Sequence, residues 1–277
     1  MQVHMAMLPT PFTFSQSSLQ DYADCPRRFQ LRYIDQLSWP AIESEPVVEN
    51  EKRQQEGQSF HRLIQQHLLG LPAEKLAESA NTPNLERWWQ NYLKADLDIG
   101  GYIHYTESTL SCPIGDHRLL AKYDLVAIKP GEKVLIFDWK TYAKRPRDEW
   151  LASRWQTRVY RSLLTLAGHH LNGGQPLVPE QIEMVYWFSD FPNEPARFTY
   201  TSAQFKRDQS AIEKVIAEIS KASEFPLTED EKMCRFCVYR SYCNRGAQAG
   251  QLDEAEADME SETAFDINFE LIGEIEF

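Results

Sequence analysis

The 277-residue chain has no run of about 18 consecutive apolar residues, which excludes an α-helical membrane span. It has no internal repeat, so a solenoid or propeller array is not expected. Residues Met1 to Pro11 lack a basic segment followed by an apolar core, so a secretory leader is not expected and a cytoplasmic setting is. Positive charge is also short: 29 Lys and Arg stand against 41 Asp and Glu, a formal net charge of -12. Such a balance argues against a nucleic-acid partner until it is divided along the chain. From Gln251 to Phe277 there are ten acids and no Lys or Arg, so the preceding residues hold 31 acids and 29 bases. That body is nearly neutral and can still carry basic patches; Lys144, Arg145, Arg147, Arg154, Arg158 and Arg161 supply the residues.

What remains is ordinary for a soluble domain, with 12% aromatic and 25% charged residues and enough length for a full core. Ser15 or Ser17 can cap a first helix, which Pro26 interrupts within the phrase Cys25-Pro26-Arg27-Arg28-Phe29. Glu43 to Glu51 reads as an acidic linker. A second helix runs from about Glu51 to Leu69, with Phe60, Leu63, Ile64 and Leu68 on its apolar side and Gly57 and His61 within it. A third, Leu85 to Leu97, carries Trp88, Trp89 and Tyr92, which read as core.

The period then changes to two. Tyr102 to Leu110 reads as a strand, and Leu119 to Ile128 and Val134 to Thr141 read as a hairpin joined by Lys129-Pro130-Gly131-Glu132. Asp138 and Lys140, two residues apart, share one side of their strand, while Phe137 and Trp139 share the other. Pairing of the two runs would bring Asp124 to Asp138. Two carboxylates beside an ammonium suit metal-assisted hydrolysis: the acids hold Mg2+ or Mn2+ through oxygen, and the amine orients the attacking water. His61 is a further nitrogen donor that would favour Mn2+. Glu107 is an additional acid on the neighbouring strand.

Arg147 to Ala167 reads as one helix. Ala152, Trp155, Val159 and Leu163 fall on its inward face, and Arg154, Arg158 and Arg161 fall opposite. Gln156 and Tyr160, one turn apart, fall inward as well; a buried amide and phenol need polar partners, in the sheet, a metal site or a substrate phosphate. Two strands, Gln181 to Phe188 and Arg197 to Tyr200, and a helix from Ala203 to Lys221 complete an α/β order with an N-terminal helical cap.

Three of the five cysteines, Cys234, Cys237 and Cys243, lie within ten residues; Cys25 sits in a similarly basic context, and Cys112 is left over. A cytoplasmic setting disfavours disulfides, and four thiolates could hold structural Zn2+ or an iron-sulfur cluster, between which spacing does not choose.

In this order, Cys25-Pro26-Arg27-Arg28-Phe29, Gly57-x3-His61, Asp124, Asp138-x-Lys140, Gln156-x3-Tyr160 and the cysteine triplet give a sequence that resembles the PD-(D/E)XK nuclease superfamily. The likeness is strongest to the RecB-like branch with a 4Fe-4S cluster, which includes AddB-type helicase-nuclease domains, the exonuclease V group and CRISPR-associated adaptation nucleases. It covers about residues 14 to 245. It implies a restriction-endonuclease-like core, a mixed central sheet flanked by helices, with a C-terminal iron-sulfur segment, and metal-dependent hydrolysis of single-stranded DNA or DNA ends. It further implies that His61, Asp124, Asp138 and the Trp139 carbonyl bind Mg2+ or Mn2+, that Lys140 serves the attacking water, and that Gln156 and Tyr160 help place DNA. Cys25, Cys234, Cys237 and Cys243 would hold the cluster. Implied partners are DNA, a helicase or CRISPR adaptation proteins, with no membrane. Many relatives carry Glu where this chain has Asp138.

The expected domain plan is an extension over 1–13, a single nuclease domain over 14–250 and an acidic tail over 251–277. The tail mixes Phe265, Ile267, Phe269, Leu271, Ile275 and Phe277 among its acids, which suits either a solubilising end or a segment that docks on a partner or on the DNA groove. A non-catalytic DNA-binding scaffold of the same fold is the rival reading; the intact set of His61, Asp124, Asp138 and Lys140 favours the enzyme.

Overall fold

The computed structural model describes residues 7–38, 45–235 and 237–246. The acidic tail lies outside the described residues, as do residues 39–44.

The elements run β1 (Thr13–Ser15), α1 (Gln16–Asp24), α2 (Pro26–Phe29), a π-helical turn (Gln30–Ile34), α3 (Glu45–Leu68), α4 (Ala73–Ala77) and α5 (Pro83–Lys94). The strands β2 (Ile103–Ile114), β3 (His117–Lys129) and β4 (Lys133–Lys140) follow, then α6 (Asp148–Ser153), α7 (Trp155–Ala167), β5 (Ile182–Phe188), β6 (Phe191–Thr199) and α8 (Ser202–Lys221). Ser15 caps α1 reciprocally with Ser18, and Pro26 opens α2 at a position where its missing N–H costs nothing. Thr82 caps α5 by accepting from the Leu85 N–H.

The strands form one mixed sheet in the order β1-β3-β4-β5-β6, with β2 also paired to β3. β1 is parallel to β3 and β4 to β5; the remaining pairs are antiparallel. A parallel neighbour needs a crossover, and α6 and α7 supply it between β4 and β5. Residues Val134 to Lys140 are all buried, as befits a strand covered on both faces. On one face lies a core with Leu19 of α1, Val159 and Leu163 of α7, and Ile212 and Ile216 of α8. On the other, Phe60 and Ile64 of α3 pack with Trp88 and Trp89 of α5. This is an α/β fold with a mixed central sheet flanked by helices, as the sequence leads one to expect.

Four features differ from the sequence expectation. The acidic stretch read as a linker is already helical from Glu45. A three-residue strand, β1, and the short α4 carry too little periodicity to be read. The helix expected over 147–167 is two helices, broken at Arg154, whose ψ of 147° is extended. The break shifts the phase of α6 relative to α7, so Ala152 is exposed rather than inward. Arg161, expected on the solvent face, is buried: it donates to the Thr157 and Thr199 carbonyls and lies 4.4 Å from the Tyr200 ring centroid.

One irregularity of the β2–β3 ribbon positions the site. Along β3, Leu119, Ala121 and Tyr123 belong to the α7-side core, whereas Leu125 and Ala127 belong to the α3-side core. Simple alternation would keep all five on one face. The register with β2 is continuous on either side, Thr106 opposite Leu125 and Ser108 opposite Tyr123. Between them Glu107 takes a left-handed φ of 52°, rare for a non-glycine residue. The ribbon therefore coils sharply at Glu107, and Asp124 stands at the point where its faces exchange.

Candidate active site

The β3–β4 turn is closed by Gly131, whose φ of 78° suits glycine and whose N–H donates to Asn172 Oδ1 at 2.8 Å. The antiparallel register it sets places Leu125 opposite Phe137, so Asp124 and Asp138 come next to one another just beyond the paired segment. Asp124 Oδ2 accepts from the Trp139 N–H at 2.9 Å. Asp138 Oδ2 lies 2.9 Å from Lys140 Nζ, and its Oδ1 accepts from Gln156 Nε2 at 2.7 Å. His61, entering from α3 on the opposite side of the sheet, places Nδ1 3.3 Å from Asp124 Oδ1. The site thus sits at the C-terminal end of β4, between α3 and α7.

Asp124, Asp138 and Lys140 are buried, at 8%, 3% and 9% exposure. Two buried carboxylates repel and must be matched by positive charge. Burial alone would push Asp124 up, but His61 and the Trp139 N–H outweigh it and hold its pKa below the ordinary value. Asp138 is pushed up to about 6 by burial and by Asp124, against the pull of Lys140. Burial would lower the His61 imidazole, yet Asp124, with Asp138 behind it, raises it to about 9. At neutral pH the pocket therefore holds an imidazolium, an ammonium and two acids of unlike proton affinity.

Gln156 and Tyr160 are brought to the same pocket by the first two turns of α7. The Tyr160 hydroxyl accepts from Gln16 Nε2 of α1 at 3.3 Å, and burial, then the charges of Asp138 and Asp124, raise its pKa well above 10. Gln16 is a contributor that no sequence signal marked; it follows only from the packing of α1 on α7. Trp139 joins through its backbone, its ring lying in the α3-side core against Phe137 and Trp187. Glu107 does not join: it is ion-paired with Lys122 on the neighbouring strand.

The donor chemistry of this pocket, two carboxylates and an imidazole, fits Mg2+ or Mn2+. Among the described residues no three His, Cys, Asp or Glu side chains stand arranged to hold a metal ion. In the pocket His61 lies against Asp124 and Lys140 against Asp138, so a divalent cation would have to take the place of those two contacts.

The cysteines other than Cys112 lie where the C-terminal segment meets the N-terminal helices. Phe225 stacks on Phe29 at 6.0 Å, the Pro226 carbonyl accepts from the Arg27 N–H, and the Tyr239 hydroxyl donates to the Leu37 carbonyl. Cys25 caps α2, and Cys234 ends a 3-10 turn, Glu231–Cys234. Burial raises the pKa values of Cys234, Cys237 and Cys243, that of Cys237 to about 11; among the described residues these cysteines and Cys25 do not form a group arranged to hold a metal ion. Arg28, ion-paired to Asp21 and Asp24 at 2.7 Å, acts on Cys237 in the opposite sense. Cys112 stands apart on β2, where its charged neighbour is Arg118.

Comparison with protein families matches the PD-(D/E)XK nuclease superfamily over residues 13–115 and 92–244. The chain belongs to that superfamily. No curated protein matches the sequence. Solved structures that are similar include SSO0001, at 12% identity and a TM-score of 0.39, covering 87% of this chain and 89% of that one. Another is a Eubacterium rectale protein provisionally named an exonuclease, at 10% identity and a TM-score of 0.47, covering 82% and 86%. The superfamily member described here is thus a nuclease by family, built on the sheet and helices set out above. No helix among the described residues is long and apolar enough to cross a membrane.

Proposed function

We propose that this superfamily member is a metal-dependent DNA nuclease acting on single strands or ends, with His61, Asp124, Asp138 and Lys140 as its reactive set. The observation that carries the reading is the convergence of two buried carboxylates from adjacent strands on one ammonium and one imidazole, with Gln156 anchored to Asp138. Asp124, Asp138, His61 and the Trp139 carbonyl would hold the cation, which when bound supplies Lewis-acid stabilisation of charge on the phosphate. Lys140 orients the attacking water from the side of Asp138. Gln156 and Tyr160 fix the edge of the pocket against the substrate, and the exposed Arg147 and Lys144 lie on the chain leaving β4 toward them. The RecB-like branch, a role in DNA repair or CRISPR adaptation, a helicase or adaptation-complex partner and a cytoplasmic setting are parts of the same proposal, supported by the motif order. We further infer that Cys25, Cys234, Cys237 and Cys243 hold a 4Fe-4S cluster, with Zn2+ as the alternative occupant.

The test is cleavage of end-labelled and circular, single- and double-stranded DNA with Mg2+, Mn2+ or EDTA. Linear single strands should be degraded with either metal and spared in EDTA. Protein that binds DNA but cuts none of these substrates with any divalent ion would make it a scaffold.

Lys140→Ala should lower turnover about 10²- to 10⁴-fold, the span of a lost general acid-base group. Divalent-ion affinity at pH 8 should be kept, because removing the ammonium also removes a competitor for Asp138. A Lys140→Ala enzyme cutting at the wild-type rate would move the chemistry elsewhere.

Ion binding should also release protons. His61, at about 9, and Asp138, at about 6, both carry protons below their pKa values that a cation must displace. Mn2+ affinity should therefore climb steeply with pH below 6, by about tenfold per unit between 6 and 9, and level off above. Calorimetry at pH 7.5 in two buffers of different ionisation enthalpy should report about one proton released; none released would remove His61 from the ligand set.

A further inference from the structure

Residues 53, 57 and 61 are spaced four apart on α3 and so lie along one side of it. All three meet the end of β4 or its partner strand. Arg53 Nε donates to the Thr141 carbonyl at 2.8 Å, and its Nη2 forks onto the same oxygen. Gly57 packs on the Thr141 side chain so closely that a Cβ would lie 3.0 Å from its Oγ1. His61 reaches Asp124. Arg53 is held in turn from outside the site. Asp190, in the β5–β6 turn, receives Arg53 Nη2 at 3.1 Å, Arg87 Nε at 2.8 Å and Trp88 Nε1 at 2.9 Å, and the Arg53 guanidinium lies 5.3 Å from the Trp88 ring centroid. The residue before it, Ser189, donates its N–H to the Lys140 carbonyl at 2.8 Å and accepts from Asn91 of α5.

We propose that Arg53 and Asp190 form a positioning clamp that fixes α3 lengthwise against the end of β4, and so sets His61 against the two carboxylates. The inference rests on the nuclease reading for what the pocket binds. One guanidinium joins three elements: α3, which carries His61; the end of β4, which carries Asp138 and Lys140; and the β5–β6 turn. A planar fork presents Nε and Nη2 to the Thr141 carbonyl and Nη2 to the Asp190 carboxylate in a fixed geometry, whereas a lysine would have to reach both oxygens from one nitrogen on a flexible stem. Losing the fork frees α3 to slide, and Gly57, having no side chain to key into Thr141, offers little resistance. Neither Arg53 nor Asp190 lies among the donors to the cation, so both act through His61.

The experiment measures Mn2+ affinity of the full chain by calorimetry at fixed pH, with thermal melting and DNA cleavage in parallel, for wild type, Arg53→Ala, Arg53→Lys, Asp190→Asn and Arg87→Ala. Arg87 shares Asp190 and otherwise bonds Asn84 of its own helix, so it reports what general loosening of the network does. Mn2+ dissociation constants should rise about 10- to 100-fold in Arg53→Ala, as when other residues that orient metal ligands are lost. They should rise less in Arg53→Lys and Asp190→Asn, and stay at the wild-type value in Arg87→Ala. Cleavage should recover with added Mn2+ while the KM for DNA stays put. Should the alanine variant not fold, Arg53→Lys carries the comparison. Wild-type Mn2+ affinity in Arg53→Ala with a lowered melting point, or an equal loss in Arg87→Ala, would overturn the clamp and leave the nuclease reading intact. Wild type that binds Mn2+ yet cuts no DNA would overturn the nuclease reading alone; wild type with neither property overturns both.

Discussion

Asp138→Asn is expected to stabilise the metal-free protein while abolishing cleavage. Asp138 is nearly fully buried beside Asp124, and its pKa is pushed up to about 6 from the usual 3.8 by that burial and that neighbour. An acid whose pKa is higher in the folded than in the unfolded state contributes stability below its unfolded pKa and loses it as pH rises through the folded one. Between about pH 4 and 6 the wild type therefore gives up stability to keep this carboxylate ionised, on the order of 3 kcal/mol. An asparagine of the same shape keeps an oxygen for the Gln156 amide and carries no charge to repel Asp124, which remains as the counter-charge of the Lys140 ammonium that loses Asp138. In EDTA above pH 7 its melting temperature should exceed that of wild type by a few degrees, and the two curves should converge as the pH falls to 4. The same change removes a carboxylate from the proposed ligand set, and cleavage should fall by at least about a thousandfold, equivalent to roughly 4 kcal/mol of lost transition-state stabilisation. Equal melting at pH 8, or persistent cleavage, would contradict this account. An active site of this kind gives up stability for function, and the two readouts should move in opposite directions.

The centre of this site was legible because each part of it is local. Asp138 and Lys140 are two apart on a strand whose apolar run and Pro-Gly turn are plain in the sequence, and the turn fixes the register that brings Asp124 across. Gln156 and Tyr160 are a helical turn apart, and the structure places both in the pocket. What the sequence hid depends on contacts distant along the chain. Gln16 meets Tyr160 across 144 residues and Asp190 meets Arg53 across 137, and neither has any periodicity to mark it. The break at Arg154 involves neither Pro nor Gly; α6 and α7 part there although the intervening residues favour a continuous helix, so packing overrode propensity. Arg161 was misplaced for a related reason: helical phase put it outward, while two carbonyls, Asp208 and the Tyr200 ring make burial of a guanidinium tolerable.

The largest loss of stability is expected from removing the metal centre proposed for Cys25, Cys234, Cys237 and Cys243. Cys25 and Cys234 are 209 residues apart, so a common metal centre closes almost the whole described chain into one loop. The crosslink-entropy argument gives about 5 kcal/mol for a loop of that size, comparable to the entire stability of many domains. Among the described contacts, Phe225 packs on Phe29 and edge-on against Tyr22, the Arg27 N–H donates to the Pro226 carbonyl and the Tyr239 hydroxyl donates to the Leu37 carbonyl. Burial also pushes the Cys237 thiol up to about 11, against the pull of the half-buried Arg28. A cluster would deprotonate the thiols and place negative charge next to that guanidinium, where it is welcome. Protein purified without oxygen should accordingly be brown and carry about four irons per chain. Cys25→Ser or Cys237→Ser should lose the colour and melt far lower, with the C-terminal segment released to proteolysis first. Cys112→Ser, on the far strand, should change neither. Colourless protein with one zinc per chain would remove the iron-sulfur assignment and keep the four-thiolate staple, whereas metal-free protein that melts as high as the loaded form would remove the staple itself.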